Sequence, residues 1–455
     1  MKQNKKIFYL VAALTLLLLS LFVLSSCYSP SYKGIKSTEI NDEGELVITY
    51  TNGDTENLGV VVGKDGEDGT DGKDGTDGKD GTDGKDGQDG EDGKDGNGGS
   101  ITISGNSSGD SAAISKATRS AVSVISYYQD TFEGEFASSG SGVIYKYNKE
   151  MDGYFIITNY HVVYDAEMGV SEEIYVLLYG NEYEEGKIEA EYVGGSLNYD
   201  IAILYIDNCD AIKSSGAACV EVADSNVISI GETAIAIGNA RGEGISASKG
   251  VISVDSETLE MTGADEKTQV KFRVMRTDAA VNKGNSGGGL FNDKGELIGI
   301  VNAKIIVTGV EGIGYAIPST LAINVADNII DNCFNKVNTF VKRALLGITV
   351  SISDSVSVYD PTTGKITIKE TIMVVEAGST NLFGKSIKAD DVIKSIQLNG
   401  HEKLTVTRQF HVIDYLLQAR LGDTGTLVVL RKNDKGESEE ISLSFTITKE
   451  CIANY

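Results

Sequence analysis

From residue 121 onward, apolar residues come in short bursts bounded by glycine, asparagine or charged residues. Val122–Ser126, Ser141–Tyr147, Tyr154–Ile157, Ile174–Tyr179, Ile201–Ile206, Thr233–Ile237 and Gly250–Val254 are rich in Val, Ile and Tyr. Such residues fit a pleated, half-buried surface, and many short strands at this spacing predict two packed six-stranded barrels. The glycines of 239–244 predict a mobile loop between strands, and the polar stretch 255–269 predicts a longer loop. At Ser319 the period changes. Apolar residues at 321, 325, 329, 330, 333 and 334 predict a helix with one buried stripe, capped by Ser319 or Thr320, with Cys333 in the core. Upstream, 35–60 holds short β-prone runs around Asn52-Gly53, which predicts a small hairpin segment without chemistry. Residues 112–120 read as a short helix after a Ser/Gly-rich linker.

The first residues follow another pattern. Lys2, Lys5 and Lys6 precede an apolar run from Ile7 to Leu24, which ends at Leu24-Ser25-Ser26-Cys27. This is an export signal. The string before Cys27 resembles the lipobox of bacterial lipoproteins, in which Cys27 would carry the lipid. An uncleaved membrane-spanning anchor is the alternative, because the run approaches bilayer-spanning length. Either way the remaining chain is expected outside the cytoplasmic membrane. From Gly63 to Gly99 glycine falls at every third position. That is the collagen pattern, since only glycine fits the axis shared by three chains. The repeat has no proline, and five lysines stand against eleven aspartates and two glutamates. It reads as a triple-helical stalk of roughly 110 Å, or else as a charged, extended spacer.

Composition narrows the function. The chain has 455 residues, enough for several domains. Its 66 acidic against 40 basic residues give a net charge of -26 and argue against a nucleic-acid partner. Five cysteines are too few for a disulfide framework, although Cys209 and Cys219 are able to pair in an oxidising compartment.

The chemistry concentrates in three places. Ser286 sits in Gly284-Asn285-Ser286-Gly287-Gly288-Gly289, where glycines permit a sharp turn and leave backbone N–H groups aimed at one point. His161 lies just past an apolar strand and Asp200 at the mouth of another. A serine hydroxyl is a poor nucleophile until a histidine takes its proton and an aspartate holds that ring. The order His, Asp, Ser is that of chymotrypsin-like enzymes. His401 follows the Asn399-Gly400 turn and reads as solvated; His411 reads as lying on a solvated helix face, with a place beside a peptide groove as the alternative.

TNYHVV around His161, YDIAIL around Asp200, TDAAVNKGNSGGGL around Ser286, Ala236-Ile237-Gly238-Asn239 and Gly312–Ser319 together resemble the Deg/HtrA serine proteases. The resemblance covers roughly 112 to 449. It implies a mainly β protein with a chymotrypsin-like double β-barrel, acyl-enzyme catalysis by His161, Asp200 and Ser286, and no metal or cofactor. An oxyanion hole would be formed by amides of Gly284, Asn285 and Ser286, and a substrate pocket by Ala303, Lys304 and Ile305. The family usually has proline where Lys283 stands and an apolar residue where Lys304 stands. Leu345-Leu346-Gly347-Ile348, Val374–Ser379 and Ile387–Ile393 resemble the family's PDZ domain, with Leu345 to Ile348 as its peptide-carboxylate loop and 408–421 as its second helix, closed by Gly422. The loop 255–269 matches the family's peptide-sensing loop. The domain order expected is therefore signal 1–27, β segment 28–62, repeat 63–99, linker and helix 100–120, protease 121–340 and PDZ 341–450. The partners implied are unfolded or damaged exported polypeptides, C-terminal peptides and two further copies in a homotrimer, with the membrane reached through the lipid. The competing expectation is a collagen-like adhesin or chaperone whose protease fold only binds.

Overall fold

The computed structural model describes residues 35–41, 45–60, 109–130, 134–181, 184–207, 210–304, 312–336, 341–433 and 435–454. The expected signal with Cys27, the repeat 63–99, Cys209 and Ile305 lie outside them. The chain divides into two compact units, 1–100 and 101–455. In the first, β1 (Ile35–Ile40), β2 (Glu45–Tyr50) and β3 (Thr55–Val60) form an antiparallel sheet in that order. Asn52-Gly53 makes the β2–β3 turn, with Gly53 at φ 92°.

The second unit opens with helix α1 (Gly109–Thr118). Its Ala113 and Ala117 pack into the protein core. Then come β4 (Ala121–Asp130), β5 (Gly134–Asn148), β6 (Gly153–Thr158), a two-residue ladder of β7 (Tyr164–Asp165) and β8 (Gly169–Val170), β9 (Glu173–Leu178), β10 (Ile188–Glu189), β11 (Glu191–Ser196) and β12 (Ile201–Ile206). Seven of them make one antiparallel sheet, β10-β9-β4-β5-β6-β12-β11. The six strands expected in the first lobe gain one because the edge is extended by the two-residue β10. Every residue of β12 is buried, as its unbroken apolar run Ile-Ala-Ile-Leu-Tyr-Ile requires. The β6–β12 register pairs Thr158 with Ala202, so the residues that follow β6 meet those that precede β12.

After a short helix α2 (Asp210–Ser214), β13 (Thr233–Gly238), β14 (Ser246–Thr262), β15 (Gln269–Thr277), β16 (Gly289–Phe291), β17 (Leu297–Val301) and β18 (Gly314–Pro318) close a six-stranded barrel. Here the expected polar loop is corrected: most of 255–269 is β structure. Leu259 and Met261 alternate with Thr258, Glu260 and Thr262, and these two apolar side chains pack on the core while β15 pairs alongside. Only 263–268 remains a turn. Likewise 239–244 is a fastened turn: Arg241 N–H donates to the Lys283 carbonyl at 2.9 Å and Gly244 N–H to Asn239 Oδ1 at 2.8 Å.

Helix α3 (Ser319–Cys333) packs its stripe of Leu321, Val325 and Ile329 between the barrel and the rest of the unit. Cys333 is buried on it as expected, and Cys219, Cys333 and Cys451 form no disulfide among the described residues. Neither Ser319 nor Thr320 caps the helix. Ser319 donates instead to the Ala223 carbonyl, and Thr320 Oγ1 bonds Ser225 and Asp224.

The C-terminal part is a second sheet with its own core. A strand pair of β19 (Lys342–Ala344) and the last strand, β26 (Ile452–Asn454), closes it off. Between them run β20 (Ile348–Asp360), β21 (Lys365–Ala377), β22 (Val392–Leu398), β23 (Leu404–Thr405), helix α4 (Phe410–Tyr415), β24 (Thr424–Lys432) and β25 (Ser438–Thr446), with sheet order β20-β21-β22-β24-β25. The helix expected over 408–421 is shorter, Phe410–Tyr415 followed by a 3-10 turn over Leu416–Gln418. Arg408 is drawn to Asp255 and Glu370 before the helix begins, and the Arg420 guanidinium takes the Leu417 and Ala419 carbonyls at its end.

Candidate active site

The β6–β12 register makes the first half of the site. His161 stands on a 3-10 turn after β6, and Asp200 directly precedes β12. Asp200 Oδ2 lies 2.6 Å from His161 Nδ1, and Oδ1 accepts the His161 backbone N–H at 3.0 Å. Nδ1 faces a carboxylate, so it carries the ring proton and leaves Nε2 as acceptor. Asp200 is 6% exposed and adopts φ 50°, a left-handed conformation that aspartate tolerates at modest cost. Two asparagines hold it: Asn159 Nδ2 donates to its carbonyl at 2.8 Å and Asn302 Nδ2 to its Oδ2 at 2.7 Å.

The barrel brings the second half. Ser286 Oγ lies 2.9 Å from His161 Nε2, and Ser286 is 5% exposed. Its loop is fixed from behind, because Gly287 N–H donates to Val301 and Val301 N–H to Gly288. Gly287 must be glycine: φ is 84°, and a Cβ there would sit 2.2 Å from the Ser141 carbonyl oxygen. The three residues expected to act together are thus in one hydrogen-bonded chain. That chain can pass a proton from serine to imidazole and stabilise the imidazolium.

The amides around Ser286 are not equivalent. Arg241 N–H holds the Lys283 carbonyl, and in a planar trans peptide the following N–H points the opposite way. The Gly284 amide is therefore turned away from Arg241. Neither it nor the Ser286 amide has an acceptor among the described residues. Asn285 is a correction. Its N–H donates to the Asn282 carbonyl at 3.0 Å, so it closes a turn and is not an open oxyanion donor.

Two contributors escaped the sequence reading. Ser141 joins the two halves: its N–H donates to the Ser286 carbonyl, its Oγ to the Gly284 carbonyl, and its Oγ accepts from Asn239 N–H. The only sequence signal is the Gly140-Ser141-Gly142 string, where a Cβ at 140 would meet Val162 and the Ser286 carbonyl. Asn302 is signalled only as a lone polar residue after the buried strand β17. The cleft over Ser286 has a volume of about 370 Å³. Ala303 and Lys304 line it, Ala303 donating its N–H to Ser286 Oγ at 3.2 Å.

The trypsin-like peptidase domain family matches residues 140–300, which include all three residues of the chain just described. The serine protease Do-like HtrA of Lactococcus lactis subsp. cremoris (strain MG1363) is 32% identical over 317 residues, covering 63% of this chain and 72% of that protein. This chain belongs to the Do-like HtrA serine proteases. It is a serine endopeptidase with a chymotrypsin-like fold. The Do-like HtrB of Bacillus subtilis (strain 168) is 34% identical over 323 residues, 68% of this chain and 62% of its own. The periplasmic pH-dependent serine endoprotease DegQ of Escherichia coli (strain K12) is 37% identical over 215 residues, 47% of this chain and 40% of DegQ. The solved HtrA-type protease AlgW with a tripeptide aligns with a TM-score of 0.45 and 26% identity, over 74% of this chain and 96% of that one.

This HtrA protein has a second cleft, of about 430 Å³, in the C-terminal sheet. Leu345, Leu346, Gly347 and Ile348 line one wall and Val412, Ile413 and Leu416 of α4 and its 3-10 extension line the other. Gly347 has φ 72°, and a Cβ there would lie 2.6 Å from Asn381 Cα. The Leu346 and Gly347 amides have no acceptor among the described residues, and β20 is an edge strand, open along one side.

His401 is exposed, with Nδ1 3.2 Å from Gln418 Oε1. His411 is not on a solvated face. It is 6% exposed, Nδ1 sits 3.3 Å from both the Thr407 N–H and the Thr405 carbonyl, and Nε2 has no hydrogen-bond partner among the described residues. Burial is the main cause that pushes its pKa down from 6.5 to about 4; the Thr405 carbonyl, next in size, opposes it, the Arg273 and Arg408 charges add to the fall, and Asp224 opposes it least. The folded protein requires neutral His411, whereas the unfolded chain takes up the proton near pH 6.5. Stability is therefore intact above that value and falls as pH drops toward 4, by up to roughly 3 kcal/mol from this group. Thermal melts of wild type and His411→Gln from pH 7.5 to 4 should show a shallower decline for the variant. Parallel declines would remove His411 as the cause.

Proposed function

We propose that Ser286 is the nucleophile, His161 the general base and then acid, and Asp200 the residue that orients the ring and stabilises its charged form. Ser286 Oγ attacks the scissile carbonyl while its proton passes to His161 Nε2. The carbonyl oxygen becomes an oxyanion held by the Gly284 and Ser286 amides. His161 then protonates the leaving amine, and a water activated by the same ring releases the acyl-enzyme. The observation that carries this reading is the unbroken Asp200–His161–Ser286 chain at 2.6 and 2.9 Å.

The substrates are unfolded or damaged exported polypeptides, cleaved outside the cytoplasm. The export signal and the DegQ relative named as periplasmic support this location. Residues 341–450 act as a PDZ domain. A C-terminal peptide would add as a strand beside β20, with its carboxylate on the Leu346–Ile348 loop and its side chains toward α4. We propose further that Cys27 carries a lipid anchor, that the Gly-X-Y repeat 63–99 is collagen-like and that the protease is a homotrimer. Fatty-acid labelling that fails on Cys27, or a monomeric sedimentation mass, would reject the anchor and the homotrimer separately.

The deciding experiment is cleavage of unfolded casein by the purified protein, with and without a peptide ending in a hydrophobic residue, alongside labelling by a serine-directed phosphonate. Cleavage with label on Ser286 is expected, and its rate should change with the peptide. A protein that neither labels nor cleaves under either condition would reject the assignment.

A further inference from the structure

Lys283 and Lys304 stand on two sides of Ser286. Lys283 precedes Gly284, and its carbonyl is held by Arg241 N–H. Lys304 follows Ala303, whose N–H touches Ser286 Oγ. Both line the cleft and both are exposed. Lys304 does not point freely into solvent. Its Nζ donates to the Gly263 carbonyl at 3.0 Å, which ties the ammonium to the β14–β15 turn at the cleft wall. An ammonium has three donors, so two remain for a ligand.

Neither ammonium has a carboxylate at ion-pair distance among the described residues. In a chain of net charge -26, two cations lining the cleft of the nucleophile run against the overall charge. The cleft does hold two acids. Asp165 Oδ1 is occupied by the Glu167 and Met168 amides of its own turn, and Glu266 stands on the turn 263–268, whose Gly263 carbonyl holds the Lys304 ammonium. The cleft lining thus carries two cations and two acids around Ser286, with Asp165 engaged by its own turn.

We propose that Lys283 and Lys304 select aspartate or glutamate side chains within two residues of the cleaved bond, which makes acidic stretches of unfolded polypeptide the preferred substrate class. The inference rests on Ser286 as the nucleophile. Each carboxylate would find an ammonium in a partly enclosed cleft, where screening by water is weaker than at an open surface. An exposed ion pair supplies up to about fivefold, so each lysine should contribute about three- to tenfold in this cleft.

The test uses matched peptides that differ only by Glu or Gln at one position near the cut. The ratio of their kcat/KM values is measured for the full-length protein, so any general loss of activity in a variant cancels. Wild type should prefer Glu. Lys283→Gln and Lys304→Gln should each lower the ratio about three- to tenfold, Lys304→Arg should keep it, and Lys283→Glu should move it below that of Lys283→Gln. High salt should shrink the wild-type ratio. A wild-type ratio of one at every position, or a ratio unchanged in both glutamine variants, would overturn the proposal. Ser286→Ala is run alongside: if it still cleaves, the nucleophile assignment itself fails and the specificity argument falls with it.

Discussion

Ser286→Ala is expected to reduce peptide cleavage by on the order of 10⁶ in kcat, with little change in melting temperature. The hydroxyl makes contact with His161 Nε2 and the Ala303 amide and with little else that the fold needs. His161→Ala should cost about as much, and the double variant should be little worse than either, because the residues act as one unit. Asp200→Asn is the more informative change. It keeps the size of the side chain but presents a donor to Nδ1, so the ring would carry its proton on Nε2 and no longer accept from serine. A loss of about 10⁴ is the expected scale. Asn302 sharpens this further, since its Nδ2 already donates to Asp200 Oδ2 and would then face the donating half of an amide, or force it to turn over. Initial rates on casein, with phosphonate labelling of the same samples, read all three. Near-normal proteolysis by Ser286→Ala would remove the nucleophile assignment.

The site was legible in the sequence where one residue type at one place has a single use. A histidine after an apolar strand, an aspartate before another and a serine among glycines are such cases, and the structure brings His161, Asp200 and Ser286 together. The supports were hidden because their chemistry is generic. Ser141 is one serine in a Ser/Gly string, and only the packing of two lobes turns its hydroxyl into a bridge between Gly284 and Asn239. Asn285 failed for a related reason: spacing says that an amide is near the serine, while the direction of its N–H is set by the turn to Asn282. The stretch 255–269 shows a different limit. Its polar residues outnumber Leu259 and Met261, but in a two-stranded arm one inward face suffices, and alternation outweighs composition. His411 was misplaced because this helix packs most of its positions on other elements and leaves Ile413, not His411, exposed. Asp414 and Tyr415 on the same helix are buried as well.

That buried helix is the basis of the largest stability effect expected in the protein. Arg273 on β15 and Asp414 on α4 form an ion pair at 2.6 Å, with side chains only 5% and 7% exposed. The pair joins the barrel to the C-terminal sheet. The guanidinium also lies over the Phe410 ring, 3.9 Å from its centre, but its Nε and Nη1 have no hydrogen-bond partner among the described residues. Burial pushes the Asp414 carboxyl above its ordinary range against the pull of Arg273. Desolvation of both groups thus consumes much of their attraction, and the intact pair should add little net stability. Breaking it is another matter. Asp414→Ala leaves a buried guanidinium with neither counter-charge nor water, and should cost about 3–5 kcal/mol. Replacing both partners together, Arg273→Met with Asp414→Leu, removes the stranded charge and should recover most of that loss. Urea unfolding of wild type, the single variant and the double variant measures all three free energies. Because the pair bridges two cores, Asp414→Ala should also make the C-terminal sheet unfold before the barrel, as two transitions in place of one. A loss under about 1 kcal/mol in Asp414→Ala would mean that water reaches Arg273, and that the join is held instead by Asn324 and Asn328, which donate to the Asp414 and Leu417 carbonyls from helix α3.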